Sequence, residues 1–407
     1  VGCSLTWHSL TGKVIKATAG TEESPTHGNL CKRGRFGAKY IHAAERFTAP
    51  IVDGDVTNWQ EAIWAMADSV RSVTNEYKSD EIAVCISPRM TNEEIYLIQK
   101  FARTVLKTHN IYSIAREQNP SDGLDKVFST AGYEEIEAAD VVLISGADLP
   151  ENHRVADFMV RKAHRNAGKV IYIGTGDVKL SLKPDLFLDV EAGKEAVAVM
   201  GIMKIMAENI ENVIALPEAW TKTLGDMAIE DIMKQSGITE DSMREAAGML
   251  KTAEKAVVIS ERDYVDGRTE NDLVLLQDLA VMAEGTLALF SRFNNAMGLV
   301  DMGGIAGSYG GDQAVDNAGV LDVFRKAWST DLEELATPGD GFLKGLNDGQ
   351  WKAVFIFGEQ VPEVFFDKLN DVEFLMVADL FQTSTMEYAD IKLPLCTVAE
   401  TNGSFTN

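Results

Sequence analysis

The chain is short of cysteine, histidine and positive charge, and each shortage excludes something. Four cysteines in 407 residues do not make a disulfide framework. The six histidines, His8, His27, His42, His109, His153 and His164, are scattered, and none shares a metal-ligand spacing on one helix. Lysine and arginine number 38 against 62 acidic residues, a formal net charge of −24, which argues against nucleic acid or an anionic membrane as partner. No apolar run is long enough to span a bilayer and no signal peptide is visible, so the expected location is the cytoplasm. Nucleophile-elbow, P-loop and zinc motifs are missing too.

What is present is an alternation of short apolar runs with longer helical patterns. Candidate strands are Ile82–Ile86, Val141–Ile144, Val170–Ile173, Leu186–Val190, Val257–Ser260, Leu287–Phe290, Val354–Phe357, Phe374–Val377 and Ile391–Leu393. Candidate helices are Trp59–Thr74, Asn92–Leu106, Asn152–Asn166, Lys194–Glu208, Ser242–Thr252, Glu270–Ala283 and Val320–Trp328. This order predicts an α/β fold with mostly parallel sheets covered by helices on both faces. A weak internal repeat relates Asp140–Glu151 to Lys352–Glu363; each reads strand, glycine, acid, proline, helix. It suggests two doubly wound lobes whose strand ends could face a ligand, although any two βαβ units share some likeness.

Cys85 and Cys396 lie in or beside apolar runs and are expected to be buried small hydrophobes. Cys3 and Cys31 differ. Cys31 sits between Gly28-Asn29 and Lys32-Arg33-Gly34-Arg35-Phe36-Gly37, and Cys3 ends Val1-Gly2-Cys3. Cations beside a thiolate cluster ligand offset its charge.

Those two stretches resemble the iron–sulfur module that opens the molybdopterin oxidoreductase superfamily, which includes formate dehydrogenases, nitrate reductases and the large iron–sulfur subunit of complex I. The resemblance continues through Glu45–Pro50, Ser87–Glu94 and Gln99–Arg103 to Ala399–Asn407. It implies that Cys3 and Cys31 are metal ligands of a 4Fe-4S cluster. The first two ligands of the four-cysteine set are expected upstream of Val1. It also implies that Lys32 and Arg33 lie between the cluster and a pterin.

By the same resemblance, residues 1–50 form a partial 4Fe-4S module. Residues 51–110 and 291–396 form a discontinuous first lobe, 111–290 a second, and 397–407 lead toward a C-terminal domain. In the family each lobe holds one pterin dinucleotide around molybdenum or tungsten. The loop after Arg292, with Asn295, Gly298, Asp301 and Gly303, resembles the family's loop near the pterin. Gly174-Thr175-Gly176-Asp177 stands where active members carry Asp-Pro-Arg-Arg-Thr, a departure that counts against one molybdopterin guanine dinucleotide.

The sharpest departure is Ala115-Arg116-Glu117-Gln118-Asn119-Pro120. Gln118 takes the place of a cysteine or selenocysteine metal ligand, and Asn119 that of a histidine. An amide is a poor ligand for a soft, high-valent metal, and the acid–base function of the histidine is gone. The segment reads better as an ordinary loop. The loops 116–123 and 294–304 are expected to face one another from opposite lobes.

The expected function is electron transfer, through a cluster, in a subunit beside other redox subunits carrying iron–sulfur or flavin centres. The alternatives are an active molybdenum or tungsten bis-pterin enzyme such as a formate dehydrogenase, and a scaffold without a redox role.

Overall fold

A computed structural model describes residues 2–117, 127–176, 181–208, 218–262, 270–330, 332 and 338–407. The chain divides into two compact units: residues 1–8, 16–37 and 121–292, and residues 9–15, 38–120 and 293–407.

The first unit is built on a five-stranded parallel sheet ordered Thr286–Phe290, Ala256–Glu261, Val141–Ser145, Lys169–Gly174, Leu186–Asp189. Its central strands are apolar throughout because both faces are covered. Val141, Leu143, Ile171, Ile173 and Val258 pack with Ala198, Ile202, Met243, Leu250 and Leu276 from three helices on one side. Val142, Ile144, Val170, Tyr172 and Ile259 pack with Ile136, Val155, Met159 and Ala163 on the other. Alternate residues of a strand point to opposite faces, and the two clusters divide by that parity.

The second unit has a seven-stranded sheet. Ile391–Pro394, Phe374–Asp379, Ala353–Phe357, Ile82–Ile86 and Ile111–Tyr112 are parallel, and the two-residue strands Ile51–Val52 and Asp55–Val56 close one edge antiparallel. Val84, Phe355 and Met376 face Val70, Val73, Ile95 and Ala102; Cys85, Ile356 and Val377 face Phe342, Leu346 and Trp351. The helix Asn92–Thr104 starts at a capping box: Glu94 N–H donates to Thr91 Oγ1 (3.3 Å), and Thr91 N–H donates to Glu94 Oε2 (2.8 Å).

Every expected strand is present, and the α/β reading with mostly parallel sheets holds in each unit. Two expectations change. Ile111–Tyr112 extends the sheet of the second unit by pairing with Val84 and Cys85, so the chain leaves that sheet after residue 112 rather than 110. Arg116 and Glu117 also belong to the same unit as the loop 294–304, not to the opposite one. A two-residue strand carries too little periodicity to read from sequence.

The internal repeat is reproduced bond for bond. Gly146 and Gly358 each follow a central strand at positive φ, +59° and +70°. Gly146 N–H donates to Ile173 O (2.9 Å) and Gly358 N–H to Ala378 O (2.8 Å). Each closing strand is preceded by an aspartate, Asp185 or Asp390. Its backbone N–H donates to Val170 O (2.8 Å) or Leu375 O (2.9 Å), and its carboxylate accepts from Val170 N–H (2.9 Å) or Leu375 N–H (2.8 Å).

Candidate cofactor site

In the first unit Cys31 caps the short helix Lys32–Phe36, and Gly34 N–H donates to its Sγ at 3.4 Å. Cys3 and Cys31 pack against the same hydrophobic cluster. Burial pushes the Cys3 thiol up, and Cys31 beside it adds to the rise. A ribbon of Leu5–Leu10 with Lys13–Ala19 separates the two cysteines in sequence, yet the fold brings them to one place. Lys32 and Arg33 are exposed. Arg33 reaches Glu151 at 3.2 Å, with both side chains about 70% exposed, so this pair contributes little to stability. Two thiols, a backbone N–H aimed at sulfur and adjacent cations suit part of an iron–sulfur ligand set. Among the described residues no group of three or more His, Cys, Asp or Glu could hold a metal ion by itself. Cys85 is buried as expected, but Cys396 is exposed: it lies beyond the end of the last strand, where no layer covers it.

At the carboxyl end of this sheet, Gly174 ends one strand and Gly176 approaches Asp189; a Cβ on Gly176 would lie 3.5 Å from either carboxylate oxygen. Asp177 falls outside the described residues. Three residues from separate stretches of the sequence meet here. His153 is buried, 3.5 Å from the likewise buried Glu261, and stacks on Phe290 with ring centroids 5.0 Å apart. Burial, with Arg33 nearby, pushes His153 down to about 3. No spacing in the sequence links these residues.

In the second unit the carboxyl ends of three parallel strands bring together Ser87, Arg89, Glu359 and Asp379. Arg89 is exposed and lies 4.8 Å over the Phe293 ring. Its positive charge lowers both Glu359 and Asp379, but burial dominates and raises them, Glu359 to about 7. Glu359 accepts from Ser113 Oγ (2.7 Å), Ile114 N–H (2.7 Å) and Ala115 N–H (3.2 Å). Two residues later Glu117 accepts from Phe342 N–H (2.6 Å) and Leu343 N–H (2.8 Å). The segment that precedes Gln118 and Asn119 is thus fixed at both ends; Gln118 and Asn119 themselves lie outside the described residues.

The glycine-rich loop has internal duties. Asn295 is fully buried; its Nδ2 donates to Met90 O (2.7 Å) and its Oδ1 accepts from Thr406 N–H (2.6 Å). Gly298 donates to Thr406 O (3.0 Å), and a Cβ there would fall 2.1 Å from both Asn295 Oδ1 and Asn92 Oδ1. Gly303 has φ +75°, with Gly310 N 2.7 Å from where a Cβ would sit. Burial and the nearby Asp312 raise the Asp301 carboxyl. The buried Arg103 donates to Gly303 O (2.9 Å), Ile305 O (3.1 Å) and Ser308 O (2.7 Å). An exposed arginine at the carboxyl ends of parallel strands, beside a buried glycine loop, suits an anionic ligand.

The sequence profile of molybdopterin oxidoreductases matches residues 46–407, and that of the molybdopterin oxidoreductase Fe4S4 domain matches residues 1–43. The chain belongs to the molybdopterin oxidoreductase family. It is 28% identical to the NADPH-Fe(3+) oxidoreductase subunit alpha of Geobacter sulfurreducens over all of this chain and 50% of that one. It is 29% identical to the F420-dependent formate dehydrogenase subunit alpha of Methanocaldococcus jannaschii, over all of this chain and 64% of that one. The chain therefore spans about half the length of the curated relatives it matches. In fold it is similar to acetylene hydratase from Pelobacter acetylenicus, with a TM-score of 0.70 at 14% identity over 96% of this chain and 61% of that one. Among the described residues no helix is long and apolar enough to cross a membrane.

Proposed function

We propose that the chain is the cluster-bearing part of an electron-transfer subunit in a multi-subunit oxidoreductase. The observation that carries this reading is the meeting of Cys3 and Cys31 on one hydrophobic cluster beside Lys32 and Arg33. In this reading the two thiolates hold a 4Fe-4S cluster within the module of residues 1–50, and other ligands complete the set. The cluster, when bound, takes up and gives back one electron. Lys32 and Arg33 offset its charge and raise its reduction potential, while Gly34 N–H donates to the Cys31 sulfur.

The metal site is read as degenerate, because Gln118 and Asn119 replace a thiolate or selenolate and a histidine. The pterin-facing residues of the reading are Lys32, Arg33, Gly174, Asp177, Asn295, Gly298, Asp301 and Gly303. Of these, Asn295 and Gly298 would shape the loop rather than donate, since their polar groups are already used. Partners are other subunits with iron–sulfur or flavin centres, by analogy with relatives named as alpha subunits, and the cytoplasm is the proposed location. The test is Cys31→Ala in the full-length protein. Loss of the low-temperature paramagnetic signal after reduction supports the reading, and an unchanged signal removes Cys31 from the ligand set.

A second reading, a working bis-pterin enzyme, draws on the exposed Arg89 at the strand ends of the second unit and on relatives named formate dehydrogenases. Molybdenum or tungsten bound through pterin at about one per chain would favour it.

A further inference from the structure

Tyr133, Phe290 and His153 stack in a column. Tyr133 lies against one face of Phe290, with centroids 5.9 Å apart and planes at 26°; His153 lies against Phe290 at 5.0 Å and 29°. Phe290 ends an edge strand of the first sheet and is 7% exposed. The Tyr133 end of the column stands beside the cysteines. Cys3, Cys31 and Tyr133 pack against the cluster that includes Phe290, and a Cβ on Gly2 would lie 3.7 Å from the Tyr133 ring. Burial, then the charges of Cys3 and Cys31, raise the Tyr133 phenol. At the His153 end, Glu261 lies 3.5 Å from His153 Nε2 and accepts from Asn152 Nδ2 at 3.3 Å on each oxygen.

We propose that this three-ring column is the inner wall of the cluster pocket, and that it holds the reduction potential down by keeping water from the cluster's sheet side. The inference rests on the cluster reading above. Reduction adds one electron, and so one negative charge, to a thiolate-ligated cluster. Water stabilises the more highly charged form, so excluding water disfavours reduction. Lys32 and Arg33 act in the opposite sense by offsetting the cluster's charge, and the potential reflects the balance. His153 supplies a ring and no charge, since burial keeps its imidazole neutral.

The experiment is a redox titration of the full-length protein followed by low-temperature paramagnetic resonance, with deuterium coupling to the cluster measured in D2O. Tyr133→Ala and Phe290→Ala should move the midpoint to more positive potential and strengthen the deuterium coupling. The expected change is on the order of tenfold in the reduced-to-oxidised ratio at fixed potential, about 59 mV for a one-electron couple. Tyr133→Phe and Phe290→Tyr keep the rings and should leave the midpoint in place. Tyr133 is the less buried end, so Tyr133→Ala carries the test if Phe290→Ala does not fold. A present signal with an unmoved midpoint in Tyr133→Ala overturns the column. So does a shift in Tyr133→Phe as large as in Tyr133→Ala, which would assign the effect to the hydroxyl. No cluster signal in the unmodified protein would instead overturn the cluster reading beneath it.

Discussion

Arg46 and Glu400, 354 positions apart, form a two-point ion pair: Nη1 to Oε1 at 3.0 Å and Nη2 to Oε2 at 2.8 Å. Arg46 also donates to Ile41 O (2.6 Å) and Leu395 O (3.4 Å). The pair ties the segment Glu45–Pro50 to the terminal segment Ala399–Asn407 within the second unit. Arg46 is largely buried, and Glu400 is about 40% exposed.

The first prediction follows from that pair. Arg46, with Thr397 assisting, holds the Glu400 carboxyl down to about 2. A depressed carboxylate stabilises the fold above its ordinary pKa near 4.3, and the contribution is lost as pH falls toward 2. Glu400→Gln should therefore cost about 1–2 kcal/mol at pH 7, after discounting for solvent screening. The difference from the parent should vanish near pH 2. Urea unfolding across this pH range measures it; a difference independent of pH would contradict the electrostatic account.

Acid should weaken the fold through two buried histidines. Burial pushes His109 down to about 3, with the adjacent Arg103 adding to the effect, and His153 falls to about 3 as well. Unfolded histidine binds a proton near pH 6.5 while the folded rings do not. Stability from each is present above 6.5 and falls by about 1.4 kcal/mol per pH unit down toward 3. His109→Gln should flatten that slope by about one proton, as read from unfolding free energies between pH 6 and pH 4. An unchanged slope would mean that His109 is protonated in the fold.

Gly298→Ala should displace the terminal segment. Its Cβ would fall 2.1 Å from two amide oxygens, those of Asn295 and Asn92, and both asparagines hold Thr406. We expect a loss of about 1–3 kcal/mol from overpacking and faster hydrogen exchange at Thr406 N–H. Gly307→Ala is the control, because nothing lies within 4 Å of a Cβ there. Equal behaviour of the two variants would refute this account of the loop.

Removing Arg103 should loosen the loop from Gly303 to Ser308. Arg103→Met leaves three backbone carbonyls without their donor. At about 1–3 kcal/mol for an unsatisfied buried group, we expect severe destabilisation, with Arg103→Lys recovering only part of it because one ammonium cannot span three acceptors. Thermal unfolding of the two variants decides this. Full recovery by lysine would show that charge rather than donor geometry matters.

The strands were legible because parallel strands covered on both faces become continuous apolar runs, as in Val354–Phe357. The repeat was legible because Gly146 and Gly358 answer the same need for positive φ after a central strand. The meeting of Cys3 with Cys31 was legible only through motif likeness. What escaped was set by tertiary contact. The capture of the loop by Arg103 joins residues about 200 positions apart, and nothing local marks it. The stack of Tyr133, Phe290 and His153 comes from three separate elements. Asn295 looked like a ligand-facing residue by likeness, whereas its amide is taken up by Met90 and Thr406. Cys396 beside Leu393-Pro394-Leu395 looked buried, but hydrophobic neighbours in sequence do not supply a covering layer in space.

The most direct test of the proposed function is elemental analysis of the full-length protein, purified without air from cells supplied with iron, molybdate and tungstate. The account predicts about four irons per chain for this cluster, with molybdenum and tungsten both far below one per chain. About one molybdenum or tungsten per chain would contradict it, and so would a preparation with no iron.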